Sequence, residues 1–177
     1  MRRVMVVVLL GLAVQASVPA PASRGLDELI TTAGVRRTGD LCWSPTVGER
    51  AFARRINGAR DGLGFGQLRL DPQLSKSAKV HTREMLRARQ LYHTPSSALR
   101  NRVTNWAILG ENVGYGAGVS SLHAAFMDSP AHRQNVLLGS YKYVGVGVLN
   151  RDGRMWVTVL FEGQSDPGTT LRMRRTC

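Results

Sequence analysis

Three linked segments decide the fold: Leu109-Gly110-Glu111-Asn112-Val113-Gly114-Tyr115-Gly116, then Phe126-Met127-Asp128-Ser129-Pro130-Ala131-His132-Arg133-Gln134-Asn135, then Tyr143-Val144-Gly145-Val146-Gly147-Val148. They read as an acid beside a glycine-rich turn, a histidine at a helix start and a glycine-spaced strand. Gly110, Gly114, Gly116 and Gly118 do not make a phosphate loop, because the Lys-Ser/Thr pair and the surrounding βαβ unit are missing. Glycine here lets the backbone turn or approach another element closely. Ser129-Pro130 is helix-start grammar, serine as N-cap and proline at the first position. His132 therefore falls in a first helical turn, whose unpaired N–H groups and positive dipole end favour an anion.

Downstream, Val144, Val146 and Val148 share one face of a strand while Gly145 and Gly147 strip the other. Asn150-Arg151-Asp152-Gly153 turns the chain, and Met155 to Phe161 returns with Val157 and Val159 alternating. This is a hairpin. From Gly163 onward the chain reads as a basic tail ending at Cys177.

Upstream, Glu49 to Arg60 places Phe52, Ile56 and Ala59 at helical spacing and turns Arg50, Arg54 and Arg55 toward water. Asp61 to Gly66 ends that helix as a loop. Asp71-Pro72 opens the next helix, with Leu74, Ala78, His81, Met85 and Ala88 on one apolar stripe. On such a face His81 is a hydrogen-bonded core residue rather than a ligand. The helix ends near Gln90, and Leu91 to Pro95 is extended, since the residue before proline avoids the helical region. Residues 96–108 offer only Leu99, Val103, Trp106 and Ile108 as core. Ser120 to Met127 reads as a short helix with Leu122, Ala125 and Phe126 inward and His123 outward. Helices ahead of a terminal hairpin indicate an α+β fold, helices packed on a small, mainly antiparallel sheet.

The chain of 177 residues is one domain's worth with tails. Met1-Arg2-Arg3, the apolar run Val4 to Val14 and the small residues Ala16-Ser17 and Ala20-Pro21-Ala22 lay out a secretory signal peptide, too short for a membrane span. Cleavage is expected after Ala22, with Ala16 as the alternative. The organisation is then a signal peptide at 1–22, an arm at 23–48, a domain at 49–163 and a basic tail at 164–177. Lys and Arg number 24 against 12 acids, a net charge of +12 that falls to +10 once Arg2 and Arg3 leave. Such an excess suits either solvated arginine faces or an anionic envelope component. No nucleic-acid motif is present, so no nucleic-acid partner is expected. Cys42 and Cys177 are the two cysteines. In an oxidising compartment they read as a disulfide tying the flanks, contributing about 4–5 kcal/mol by loop closure, or as two separate thiols.

From about Glu49 to Gly163 the chain resembles the CAP superfamily (cysteine-rich secretory, antigen 5 and pathogenesis-related-1 proteins) in its bacterial SCP-like form. Ile56-Asn57-Gly58-Ala59-Arg60, Leu68-Arg69-Leu70-Asp71-Pro72-Gln73-Leu74, His81-Thr82-Arg83-Glu84-Met85, Tyr92-His93-Thr94 and Gly110-Glu111-Asn112 carry it, with the Ser129–Asn135 and Val144–Val148 segments. The resemblance implies an α-β-α sandwich, an extracellular protein, and a cleft with two histidines and two acids. His93, Glu111 and His132 fall on three of those positions. Ser129 stands where many relatives carry the second acid, Asp128 points elsewhere, and Phe126 replaces the family's usual tryptophan.

The chemistry of such a cleft has two readings. His93, His132 and Glu111 are a ligand set for zinc or another divalent cation, which would make a metal-assisted hydrolase or peptidase with Glu111 and His132 as catalytic groups. Alternatively Glu111 accepts hydrogen bonds from His93 or His132 and locks loop to helix. The cleft of His93, Glu111, His132 and Ser129 then binds a lipid, glycan or protein without catalysis. A Ser129-His132-Asp128 hydrolase trio is a poorer reading still, because residues so local cannot align as nucleophile, base and orienting acid, and Ser129 is better used as a cap.

Overall fold

The computed structural model describes residues 43–163 and one two-residue strand, β1 (Val14–Gln15). The rest of the leader, the arm through Cys42, the tail from 164 and the Cys42–Cys177 pair lie outside the described residues.

Helix α1 (Val47–Asp61) starts two residues before the expected Glu49. Thr46 is its N-cap and makes a reciprocal box: the Glu49 N–H donates to Thr46 Oγ1 at 3.3 Å, and the Thr46 N–H donates to Glu49 Oε2 at 2.8 Å. Glu49, nearly inaccessible, also meets Lys79 Nζ at 3.2 Å. Near the other end, Arg60 is buried rather than solvated. Its guanidinium donates to the carbonyls of Gly66 (2.7 Å), Val136 (2.7 Å) and Leu138 (3.1 Å), and burial pulls its pKa below the ordinary value.

Strand β2 (Arg69–Leu70) leads into α2 (Pro72–Ala88), where Asp71 caps as expected, accepting from the Leu74 N–H at 2.8 Å. Leu74, Ala78, His81 and Met85 form the buried stripe, but Ala88 at the helix end is exposed. His81 is satisfied in the core, with Nε2 2.7 Å from the Tyr92 carbonyl and Nδ1 3.2 Å from Glu84 Oε2. A short helix α3 (Ser96–Arg102) follows, in the stretch where no apolar period announced one.

The expected glycine-rich turn is instead strand β3 (Ile108–Gly116). Its glycines serve close approach: a Cβ on Gly114 would lie 3.1 Å from the Phe126 ring, and one on Gly116 3.1 Å from Leu122 Cδ2. Helices α4 (Val119–Asp128) and α5 (Pro130–Leu137) come next, then the hairpin of β4 (Tyr143–Arg151) and β5 (Arg154–Gly163). The hairpin turn is Asp152-Gly153, both in the left-handed region (φ 51° and 69°), as a two-residue turn between twisted strands requires.

The sheet order is β1-β3-β5-β4-β2, antiparallel throughout except for β2 against β4. Two helical layers enclose it, so the fold is the expected α-β-α sandwich. One layer is α1, α4 and α5, whose Phe52, Ile56, Leu122, Phe126 and Val136 pack on the Val144, Val146, Val157, Val159 and Phe161 face. The other is α2, lying on Tyr143, Leu160, Val113 and Trp156. Gly145 and Gly147 explain how close α2 comes. A Cβ at 145 would lie 2.2 Å from the Leu74 backbone, and one at 147 2.4 Å from the Lys79 nitrogen.

Candidate functional site

Strand alternation puts Glu111 and Asn112 on opposite faces of β3, pairing across to Leu160 and Val159 of β5. Glu111 therefore faces the α2 layer, where the extended segment after that helix brings His93 and Thr94 onto its carboxylate. His93 Nδ1 donates to Oε1 at 2.8 Å, the Thr94 N–H donates to the same oxygen at 2.8 Å, and the Thr94 hydroxyl donates to Oε2 at 2.5 Å. Both oxygens are engaged, and Glu111 is 8 % exposed. The His93 side chain, 25 % exposed, is the member that reaches solvent.

Asn112 faces the other layer. Its Nδ2 donates to the His132 carbonyl at 3.0 Å, while Asn135 Nδ2 donates to the Glu111 carbonyl at 3.1 Å and to Asn112 Oδ1 at 2.9 Å. These bonds fix the first turns of α5 to β3. Gly110 leaves room beside them for the Tyr141 ring: a Cβ there would fall 2.1 Å from its hydroxyl. Burial raises the Tyr141 pKa to about 12.

His132 is buried, its ring 4.9 Å from that of Phe126. Burial, with the nearby charge of His93, lowers its pKa, so the ring is neutral near pH 7. Ser129 sits at the N-cap of α5 with extended backbone, but its side chain makes no cap bond. The hydroxyl pairs instead with His132 Nδ1 at 2.9 Å. The backbone grammar was right and the role of the side chain was not. Asp128 is exposed and has no bond to His132, so the trio is not assembled. His123, expected outward, is half-buried with its ring edge-on to Phe52 at 6.3 Å.

The four candidate residues thus form two bonded pairs, His93–Glu111 and Ser129–His132, on the two sides of β3, with the imidazoles in electrostatic contact. A metal ion would need three donors turned to one point. Here Glu111 holds Thr94 and His93, His132 Nδ1 faces Ser129, and among the described residues no three His, Cys, Asp or Glu side chains are grouped to hold an ion. As arranged, Glu111 serves as an acceptor for His93 and Thr94 rather than as a ligand turned toward an ion. Sequence reasoning gave no role to Thr94, Asn112 or Asn135, although each lies beside a candidate in the quoted motifs.

The family model described as CAP, the cysteine-rich secretory protein family, matches residues 53–161. The chain belongs to the CAP family. A curated relative of this CAP chain, the uncharacterized protein YkwD of Bacillus subtilis (strain 168), is 26 % identical over 115 residues, which cover 61 % of the chain. They cover 44 % of YkwD, so the CAP chain matches less than half the length of that relative. Among solved structures it is similar to an outer surface protein from Borrelia burgdorferi, with a TM-score of 0.61 and 20 % identity, covering 66 % of this chain and 92 % of that one. It is also similar to an extracellular protein containing an SCP domain from Bacillus anthracis, with a TM-score of 0.59 and 22 % identity, covering 66 % and 40 % of the two chains. These likenesses establish the fold. Among the described residues no helix is long and apolar enough to cross a membrane.

Proposed function

We propose that this CAP protein is exported and acts as a non-catalytic binding module, recognising a lipid, glycan or protein through the surface around His93. The engagement of Glu111 carries this reading. With both carboxylate oxygens held by three protein donors, Glu111 serves as a clasp between the 92–95 segment and β3. His93 is thereby held in one orientation with part of its side chain open to solvent. The leader expected at 1–22, the Cys42–Cys177 pair and the arginine excess belong to the same proposal, which places the protein outside the cell against anionic envelope components.

The test is a thermal-shift screen of the mature protein against lipids, glycans and wall polymers, run beside a metal assay on protein purified without added zinc. A ligand raises the melting temperature by mass action. The expected result is such a rise, lost when His93 is replaced, with a melting temperature unchanged by chelator. Stoichiometric zinc removed by chelation, together with hydrolytic turnover abolished in Glu111→Gln, would overturn the proposal in favour of the metal-assisted hydrolase.

A further inference from the structure

At the turn end of the β4–β5 hairpin lies a second polar site, independent of the first. Tyr115 is four positions beyond Glu111 in β3, roughly 13 Å along the strand. A pocket of about 390 Å³ opens there, with Arg89, Arg151 and Arg154 around it and Leu86, Tyr115 and Trp156 as its wall. Asp152 is the single acid in the lining, and its Oδ2 lies 3.6 Å from Arg151 Nε. Three guanidiniums against one carboxylate leave two positive charges. The C-terminal carbonyls of α2, which Arg89 caps, oppose this with about half a negative charge, well short of cancelling it.

Two features go beyond a solvated arginine cluster. Arg151 and Arg154 are direct cross-strand partners closing the hairpin. Like charges placed directly opposite destabilise a ladder. An anion between them removes that repulsion. Second, Trp156 and Tyr115 stack with centroids 4.9 Å apart and planes at 24°, and the Arg154 guanidinium lies 5.4 Å over Tyr115. These contacts hold a planar fork of donors beside Tyr115 at the pocket edge, the geometry that matches phosphate or carboxylate oxygens. The ring edges and Leu86 add an apolar side, and the volume is that of a small-molecule site.

We infer that this pocket binds a phosphate ester, with its oxyanion between Arg151, Arg154 and Arg89 and its organic part against Leu86 and Trp156. A soluble phosphorylated compound and a phospholipid headgroup share that chemistry.

The experiment follows tryptophan emission in phosphate-free buffer while titrating inorganic phosphate, glycerol phosphate, and vesicles of phosphatidylcholine with or without phosphatidylglycerol. Saturable binding of glycerol phosphate is expected, weakened at least about tenfold by Arg151→Gln and by Arg154→Gln, the loss that one charge-assisted hydrogen bond implies. Arg154→Lys keeps the charge but loses the stacked fork, and should also weaken binding. Arg54→Gln, an exposed arginine on α1, removes the same charge elsewhere and should bind normally. Binding restricted to phosphatidylglycerol vesicles, with the same variant pattern, would assign the headgroup as the source. No saturable response in any arm, or equal losses in Arg54→Gln and the two hairpin variants, would overturn the inference. Replacement of His93 leaves this titration unchanged, so failure of either site is seen separately.

Discussion

Glu111 and Asn112 are consecutive residues of β3 that secure opposite layers of the sandwich. Glu111 holds the segment after α2 through His93 and Thr94, and Asn112 holds the start of α5 through the His132 carbonyl. Two consecutive residues of one strand therefore tie the two pairs of the candidate site to a common backbone. Side chains at 93 and 132 come from different layers because alternation sends their anchors opposite ways.

Replacing Glu111 by alanine should destabilise the domain by about 3 kcal/mol, because buried donors from Thr94 and His93 lose their acceptor together. Urea denaturation of the two proteins at neutral pH measures this. A change within experimental scatter would show that the clasp contributes nothing to the fold.

His132 sets a pH dependence. Its folded pKa is lowered below 6.5, by burial first and by His93 second, whereas the unfolded chain titrates near the ordinary value. Between the two values the unfolded state binds more protons, so stability is complete above about pH 6.5 and falls as pH drops toward the folded value. The slope contributed by one histidine is at most about 1.4 kcal/mol per pH unit. His123, also lowered by burial and then by Arg55, acts in the same direction. Denaturation midpoints between neutral and mildly acidic pH should fall on acidification, with a shallower slope in His132→Gln. An equal slope in the variant would remove His132 as the source.

Gly145→Ala and Gly147→Ala should each cost about 3 kcal/mol or more, or block folding, because the new methyl meets α2 backbone rather than a movable side chain. Gly58, inside α1 with nothing within 4 Å of a built Cβ, is the control: alanine there should stabilise by up to about 1 kcal/mol. Thermal melts of the three variants decide it, and a mild effect at 145 or 147 would mean that α2 shifts easily.

If the leader is removed as proposed, the exported protein begins at Ser23, and intact-mass measurement before and after reduction should reveal one internal disulfide. Cleavage after Ala22 also takes away β1, which pairs Val14 with Leu109 and Gln15 with Ile108. Amide exchange at the start of β3 should then be faster in the mature protein than in the uncleaved chain. Retention of the leader on the exported protein would contradict the proposal.

Some of this was readable in the residues because it is local. The Asp71-Pro72 cap, the Asp152-Gly153 turn and the valine alternation at 144–148 act over a few positions, and each formed as written. β3 reads as a turn because glycine is a poor strand former; Gly114 and Gly116 answer to Phe126 and Leu122 of α4, which no local pattern shows. Thr46 was overlooked as a cap because Val47 and Gly48 make a weak helical opening. At Ser129 the backbone followed the cap rule, yet His132 three residues on competed for the hydroxyl. The His93–Glu111 contact came from resemblance to relatives rather than from spacing, and the segregation of the two pairs across β3 required the register of the sheet.

Arg60 joins the end of α1 to the carbonyls closing α5 with a group that stays cationic at any acidity a living surface meets. His132 and His123 respond to acid, but this joint does not. Acid should therefore loosen the neighbourhood of His132 while leaving that seam shut, so the molecule would yield in part before it yields as a whole.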